Sequence, residues 1–252
     1  QTFGVETVGH IPQGLPSFTA PSLGLIEQLW PGALGIALMS FTETIAAARA
    51  FAGRGEPVPE PNRELLATGL SNAVGGLFGA MPAGGGTSQT AVNRLAGARS
   101  QVAGLTTAAV VIPKSMAFAI IAGLPVQAGL YVAFVPMIVY ALLGTSRCLS
   151  VSSTTTLAIL TATQLALAVP GGDPARLMTA AASLALLTGA FLILAGLLRL
   201  GFLANFISDP VLTGFKSGVG LVIVVDQLPK LLGLHIGKGH FFQNILSTLQ
   251  HV

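Results

Sequence analysis

The sequence predicts an all-α polytopic membrane protein that contains two antiparallel half-helices. Three observations predict it. Of 252 residues, 52% are hydrophobic and only 8% are Asp, Glu, Lys or Arg, where a soluble domain carries about a quarter charged residues. Apolar runs of the length that crosses a bilayer, about 20 residues, alternate with Gly- and Pro-marked turns. Two of those turns open into helices too short to span.

The same composition excludes other classes. So few charges cannot clothe a soluble surface without large apolar patches, which argues against a soluble enzyme. The net charge is +3 with Lys and Arg scattered singly, so nucleic acid is not a partner. Cys148 is the only cysteine and the four histidines, His10, His235, His240 and His251, lie far apart. No metal site, disulfide or cofactor follows from that pattern. No nucleophile, base and orienting group cluster, so no catalytic residues are assigned. The chain opens on Gln1 and shows no signal-peptide pattern.

The elements follow in order. Residues 1–29 are turn-rich, with Pro12, Gly14, Pro16 and Pro21, and read as an irregular lead-in at an interface. Trp30 marks the membrane boundary of a first span, 30–52. A polar loop with Pro57, Pro59 and Pro61 precedes a Gly- and Ala-rich helix, 63–80, capped by Asn62 with Glu64 in its first turn. Residues 81–87, Met-Pro-Ala-Gly-Gly-Gly-Thr, break the helix, and a short one runs from Ser88 to Ala98. Spans follow at 103–123, broken by Pro113, and at 126–143. Residues 144–151 are again non-helical, and a second short helix, 152–168, opens on Ser152, Ser153 and Thr154. After the turn Gly171-Gly172-Asp173-Pro174 come spans at 176–198 and 206–228, the latter holding Asp209, Lys216 and Asp226. With the first span running inward, Arg49, Arg54, Arg63, Arg94, Arg99, Arg147 and Arg199 fall inside and Arg176, Lys230 and Lys238 outside, the orientation the positive-inside rule favours.

The two breaks carry the functional expectation. In lipid, non-helical backbone survives only where protein or a water-lined cavity satisfies it, and carriers build their sites from such discontinuous helices. Residues 81–87 enter from outside and 144–151 from inside, so the short helices are expected to point their N-termini at each other. Their amides and dipole ends would form an anion site helped by Ser88, Gln89, Thr90, Ser152, Ser153 and Thr154. Kinks packed against neighbours are the plainer account of the same residues. Glu43 lies mid-span, where a bare carboxylate costs about 2.5 kcal/mol or more. It is the candidate for coupling a proton or sodium ion to anion movement, against the simpler role of tying helices together. Lys114 is the second coupling candidate, adding positive potential or snorkelling to the interface. Phe118, one turn later, is placed to wall the cavity.

Several stretches resemble the sulfate permease (SulP) family, the group that includes prestin and pendrin. They are Ala103-Gly104-Leu105 through Pro113-Lys114-Ser115-Met116-Ala117-Phe118-Ala119; Ala122-Gly123-Leu124-Pro125 through Gly129-Leu130-Tyr131; Gly144-Thr145-Ser146-Arg147 through Leu149-Ser150-Val151; and Phe206 through Phe215. These resemble the family's first to fifth membrane segments. Ile11 through Pro16, the span with Glu43 at the family's acidic position, and Pro82 through Gln101 with Asn93-Arg94 resemble its eighth to tenth. The later half therefore precedes the first. Residues 1–101 read as a piece of the second repeat and 102–252 as the first repeat with the start of the gate domain, joined near Gln101–Gly104 and without a STAS-type domain.

The resemblance implies a partial inverted-repeat transporter core in the cell (inner) membrane. By it, the anion site maps to Phe118, Ser153, Thr154 and Ser88, with Gln89 where the prestin branch carries Arg and Lys114 where the family often has Gln. It implies secondary active transport of an inorganic anion such as sulfate or bicarbonate, as symport with a proton or sodium ion, by movement of core against gate. The partners are membrane lipid, the small anion and a second copy as homodimer. Two alternatives stay open: a nucleobase or dicarboxylate carrier of related fold, and a non-transporting fragment of structural role.

Overall fold

The computed structural model describes residues 16, 18–52, 56–95, 97, 98, 102–206, 210, 214 and 217. The chain divides into two compact units, Gln1–Ala204 and Asn205–Val252, and the architecture below is that of the first. The expected span 206–228, with Asp209, Lys216 and Asp226, lies almost wholly outside the described residues; of the join near Gln101–Gly104, Gln101 lies outside them and 102–104 begin a helix.

Helix α1, Ile26–Ala50, follows a 3-10 turn at Leu23–Leu25. Its buried face carries Leu29, Ala33, Ile36, Ala37, Ser40, Phe41, Thr44, Ala47 and Ala48 at three- and four-residue spacing, while Trp30, Leu34 and Leu38 point outward. At about 1.5 Å per residue its 25 residues exceed the roughly 30 Å of a hydrocarbon core. Helix α5, Val126–Leu143, and helix α7, Pro174–Leu197, are also long and apolar enough to cross. Their outer faces expose Phe134, Ile138 and Leu142, and Leu194 and Leu197. Buried positions, by contrast, include Ser40, Thr44, Glu64, Asn72, Gln89 and Ser153. Apolar outside and partly polar inside is the arrangement lipid imposes.

Helix α2, Pro61–Leu77, starts earlier than expected: Glu60 is the cap residue and Pro61 fills the first helical position, where its fixed φ and missing N–H cost nothing. Asn62 is therefore inside the helix and does not cap it; its side chain accepts from Gly201 N–H at 2.8 Å. Glycines let α2 lie directly on α7. A Cβ on Gly76 would sit 2.8 Å from the Ala182 carbonyl, and one on Gly69 2.8 Å from the Ile193 nitrogen. The Gly/Ala richness of α2 thus has the close-packing meaning read from sequence.

The chain then leaves helix at Gly79 (φ +73°) and forms strand β1, Gly84–Gly85, before helix α3, Thr87–Leu95. Helix α3 stops short of Ala98 because Gly97 takes φ +79° and the Ala98 N–H turns back to the Asn93 carbonyl, a left-handed glycine stop. Helix α4, Val102–Ile121, and α5 form a hairpin whose turn holds Gly123. Past the second break comes strand β2, Val151–Ser152, then helix α6, Thr155–Ala168. Ser152 and Ser153 precede this helix instead of opening it, and Thr154 is its cap. Strands β1 and β2 pair antiparallel, Gly84 opposite Ser152 and Gly85 opposite Val151. Elements from either side of residue 101 thus interleave: α2 and α1 pack on α7, and α2 on α5.

Candidate functional site

The β1–β2 pair brings two helix starts together. Helix α3 begins two residues after β1 and α6 three residues after β2. In α3 the first intrahelical bond runs from Thr90 N–H to the Gly86 carbonyl, so the amides before it have no carbonyl one turn back.

Around the pair the sequence-predicted residues fall into three groups. Gln89, Ser152 and Ser153 are buried together: Gln89 Nε2 donates to Ser152 Oγ at 2.8 Å and to the Ser153 carbonyl at 3.4 Å. Gln89 Oε1 folds over Gly86, where any Cβ would strike the carboxamide. Ser153 Oγ is fully buried and has no hydrogen-bond partner among the described residues. Thr90 is placed differently, since its hydroxyl donates to the Gly86 carbonyl at 2.6 Å and accepts from Ser150 N–H at 3.2 Å; it holds the two breaks together. Ser88, on the first turn of α3, is exposed.

Glu43 and Thr154 form the second group. The Thr154 hydroxyl donates to Glu43 Oε2 at 2.7 Å while accepting from Leu157 N–H at 3.3 Å. The carboxylate thus sits at the positive start of α6, through its cap. Lys114 and Phe118 form the third, with the ammonium 5.4 Å from the ring centroid, a cation–π distance. Their helix α4 lies against both α3 and α6, and Phe118 joins the main core.

Several positioning residues escaped the sequence reading. Asn72 binds both backbone groups of Ala83: Nδ2 donates to its carbonyl at 2.9 Å and Oδ1 accepts its N–H at 2.8 Å. Ser40 Oγ donates to the same carbonyl, and Thr44 Oγ1 accepts from Gly85 N–H at 3.0 Å. On the other break, Glu64 accepts from Tyr140 and Thr145. An amide among the small residues of the second half of α2 was the available signal for Asn72. Glu64 looked like a first-turn charge complementing the dipole, and nothing local distinguished the two roles.

The helices define an α-helical, multi-pass integral membrane protein with two interruptions meeting in its interior. Comparison with known proteins adds the family: the sequence profile of the sulfate permease family matches residues 1–111 and 102–252, and the chain belongs to that family, one of transporters rather than enzymes. It is 44% identical over 146 residues to a "Probable sulfate transporter" of Mycobacterium tuberculosis, covering 58% of this chain and 26% of that protein. It is 38% identical over 163 residues to solute carrier family 26 member 10 of Mus musculus (60% and 24%). It is 38% identical over 151 residues to the sodium-independent sulfate anion transporter of Bos taurus (60% and 24%). The matched stretch thus spans about a quarter of the length of these relatives. No solved structure matches.

Proposed function

We propose that this chain is the anion-binding core of a secondary carrier, taking an inorganic oxyanion such as sulfate or bicarbonate between the starts of α3 and α6. The observation that carries the reading is the buried, unpartnered Ser153 hydroxyl beside two helix starts joined by β1 and β2. A donor with no acceptor, next to first-turn amides, is a place for negative charge. In this reading the half-helices are antiparallel members of an inverted repeat, with residues 1–101 from the second repeat and 102–252 from the first. The two family matches, which overlap at 102–111, support a join there. The names of the relatives support sulfate as the first anion to test.

Glu43 supplies the coupling. Its carboxylate, bonded to the α6 cap, competes for the same positive helix end that would hold the anion. Protonation removes that competition, so anion affinity rises as pH falls. Lys114 adds positive charge from α4. Calorimetric titration of sulfate into the protein in nanodiscs tests both points. Ser153→Ala is expected to weaken sulfate about tenfold, the scale of one hydrogen bond to a charged group. Glu43→Gln is expected to abolish the pH dependence of binding. Absence of sulfate, bicarbonate and chloride binding by the parent chain would sink the site, and uracil binding in their place would make it a nucleobase carrier. Binding with no flux in liposomes would make the chain a core without autonomous transport.

A further inference from the structure

Glu64 is fully buried on α2, and its carboxylate accepts from three donors at the end of α5 and the start of the second break. The Tyr140 hydroxyl, itself 1% exposed on the last turn of α5, donates to Oε2 at 2.7 Å. The Thr145 backbone N–H donates to Oε1 at 2.9 Å, and the Thr145 hydroxyl donates to the same oxygen. The direction of that hydroxyl is fixed, because Thr145 Oγ1 accepts from Glu60 N–H at 3.2 Å. Gly144 lies between the two donors, and its N–H closes α5 on the Tyr140 carbonyl at 2.7 Å. A Cβ on Gly144 would run into the Tyr140 ring. One carboxylate therefore holds both the last turn of α5 and the first residues of the break that leads to β2.

The same helix holds the other break. Asn72, eight residues on and so about 12 Å along α2 at 1.5 Å per residue, binds both backbone groups of Ala83 just before β1. Helix α2 thus grips the chain upstream of both strands, at two points a fixed distance apart. We propose that Glu64 is a positioning residue for the anion site: with Tyr140 and Thr145 it forms a clamp that fixes where the chain leaves α5, so that residues 151–154 reach β1 in register and Ser153 faces the α3 start. The proposal rests on the anion-site reading above for its consequence, but not for its geometry.

The choice of a carboxylate follows from the donors. Three of them converge on two oxygens, an acceptor demand that Asp or Glu meets outright. A Gln at this place keeps one oxygen for both Thr145 donors and turns its amide to the Tyr140 oxygen, so it substitutes in part. Alanine leaves the buried Tyr140 hydroxyl and the N–H of the half-buried Thr145 without their acceptor.

Hydrogen exchange of the peptide covering 144–154, measured in nanodiscs alongside sulfate titration, tests the clamp. Glu64→Ala and Tyr140→Phe are expected to speed exchange of that peptide, by roughly tenfold for the first and about threefold for the second, on the scale of the hydrogen bonds removed. Peptides of α7 should stay at the parent rate. Sulfate affinity should weaken in the same order, and Glu64→Gln should restore both readouts most of the way. If Glu64→Ala fails to fold, Tyr140→Phe and Thr145→Val carry the comparison. Folded Tyr140→Phe and Thr145→Val proteins with unchanged exchange at 144–154 would overturn the clamp. Should the parent chain bind no anion, the anion site falls while the exchange result still decides whether Glu64 positions the break.

Discussion

The two interruptions reach the same geometry by opposite means. The first, 78–86, is made of backbone: Gly84 and Gly85 press so close to α1 that a Cβ on Gly85 would lie 2.6 Å from the Thr44 Cα. Neutral side chains of α1 and α2, Ser40, Thr44 and Asn72, then satisfy its peptide groups. The second, 144–154, is made of side chains: it carries Thr145, Cys148, Ser152, Ser153 and Thr154, and it is held by the Glu64 carboxylate and by Asn93, whose amide donates to the Cys148 carbonyl at 3.2 Å. Non-helical backbone inside a bilayer must be satisfied within the protein, and here one break achieves this by becoming thin enough to approach its supports and the other by bringing polar groups to them. The first break should accordingly fail on added volume, the second on lost hydrogen bonds.

The largest effect is expected at Gly85. Gly85→Val forces atoms onto the Thr44 main chain, which cannot move aside as a flexible side chain would. A loss of about 3 kcal/mol is expected, the upper range for overpacking, read as a fall in the thermal midpoint in detergent and as loss of sulfate binding. Tolerance of Val at 85 would mean that β1 does not lie on α1 as described. Next is Asn72→Leu, nearly isosteric and suited to a membrane helix by composition alone. It removes the acceptor of the Ala83 N–H and one of the two donors to the Ala83 carbonyl, and is expected to cost about 2 kcal/mol, since a buried N–H is left without an acceptor. Ser40 still reaches the Ala83 carbonyl, which keeps the cost below that of Gly85→Val. An Asn72→Leu protein as stable as the parent would show that the first break is held by volume alone.

Much of this architecture was legible in the sequence because lipid leaves so few options. Apolar length marked α1, α5 and α7, and the glycine triplet and the 144–151 stretch marked both interruptions. What escaped was every feature set by a distant partner. Pro61 displaced Asn62 as the start of α2, and Asn62 found Gly201 instead, 139 residues away. Glu64 and Asn72 serve peptide groups that lie on the two breaks, 81 and 11 residues along the chain. The site was legible only as a neighbourhood. Ser152, Ser153 and Thr154 read as equivalent openings of one helix, but pairing with β1 draws Ser152 into a strand, leaves Ser153 without a partner and makes Thr154 the cap. Helical periodicity gives no warning of a two-residue strand, because its partner arrives from 66 to 68 residues away, Gly84 and Ser152, like Gly85 and Val151, being joined only in space.

The smallest expected effect sharpens the contrast at the helix starts themselves. Helix α6 has its own side-chain cap, Thr154 Oγ1 accepting from Leu157 N–H, whereas the residue before α3 is Gly86, which has no side chain to offer. Thr154→Ala should cost about 1 kcal/mol for the cap itself, besides the donor that Glu43 Oε2 loses, with faster exchange at the first turn of α6 and recovery in Thr154→Ser. The converse change, Gly86→Ser, would ordinarily add a cap and stabilise α3 by a similar amount. Here the Gln89 carboxamide already occupies the space a Cβ at 86 would need, so the new side chain must displace it and break its 2.8 Å bond to Ser152. Gly86→Ser is therefore expected to give no gain in thermal midpoint and to weaken sulfate binding, and a Gly86→Ser protein that is both more stable and binds sulfate normally would show that Gln89 does not hold the two starts together.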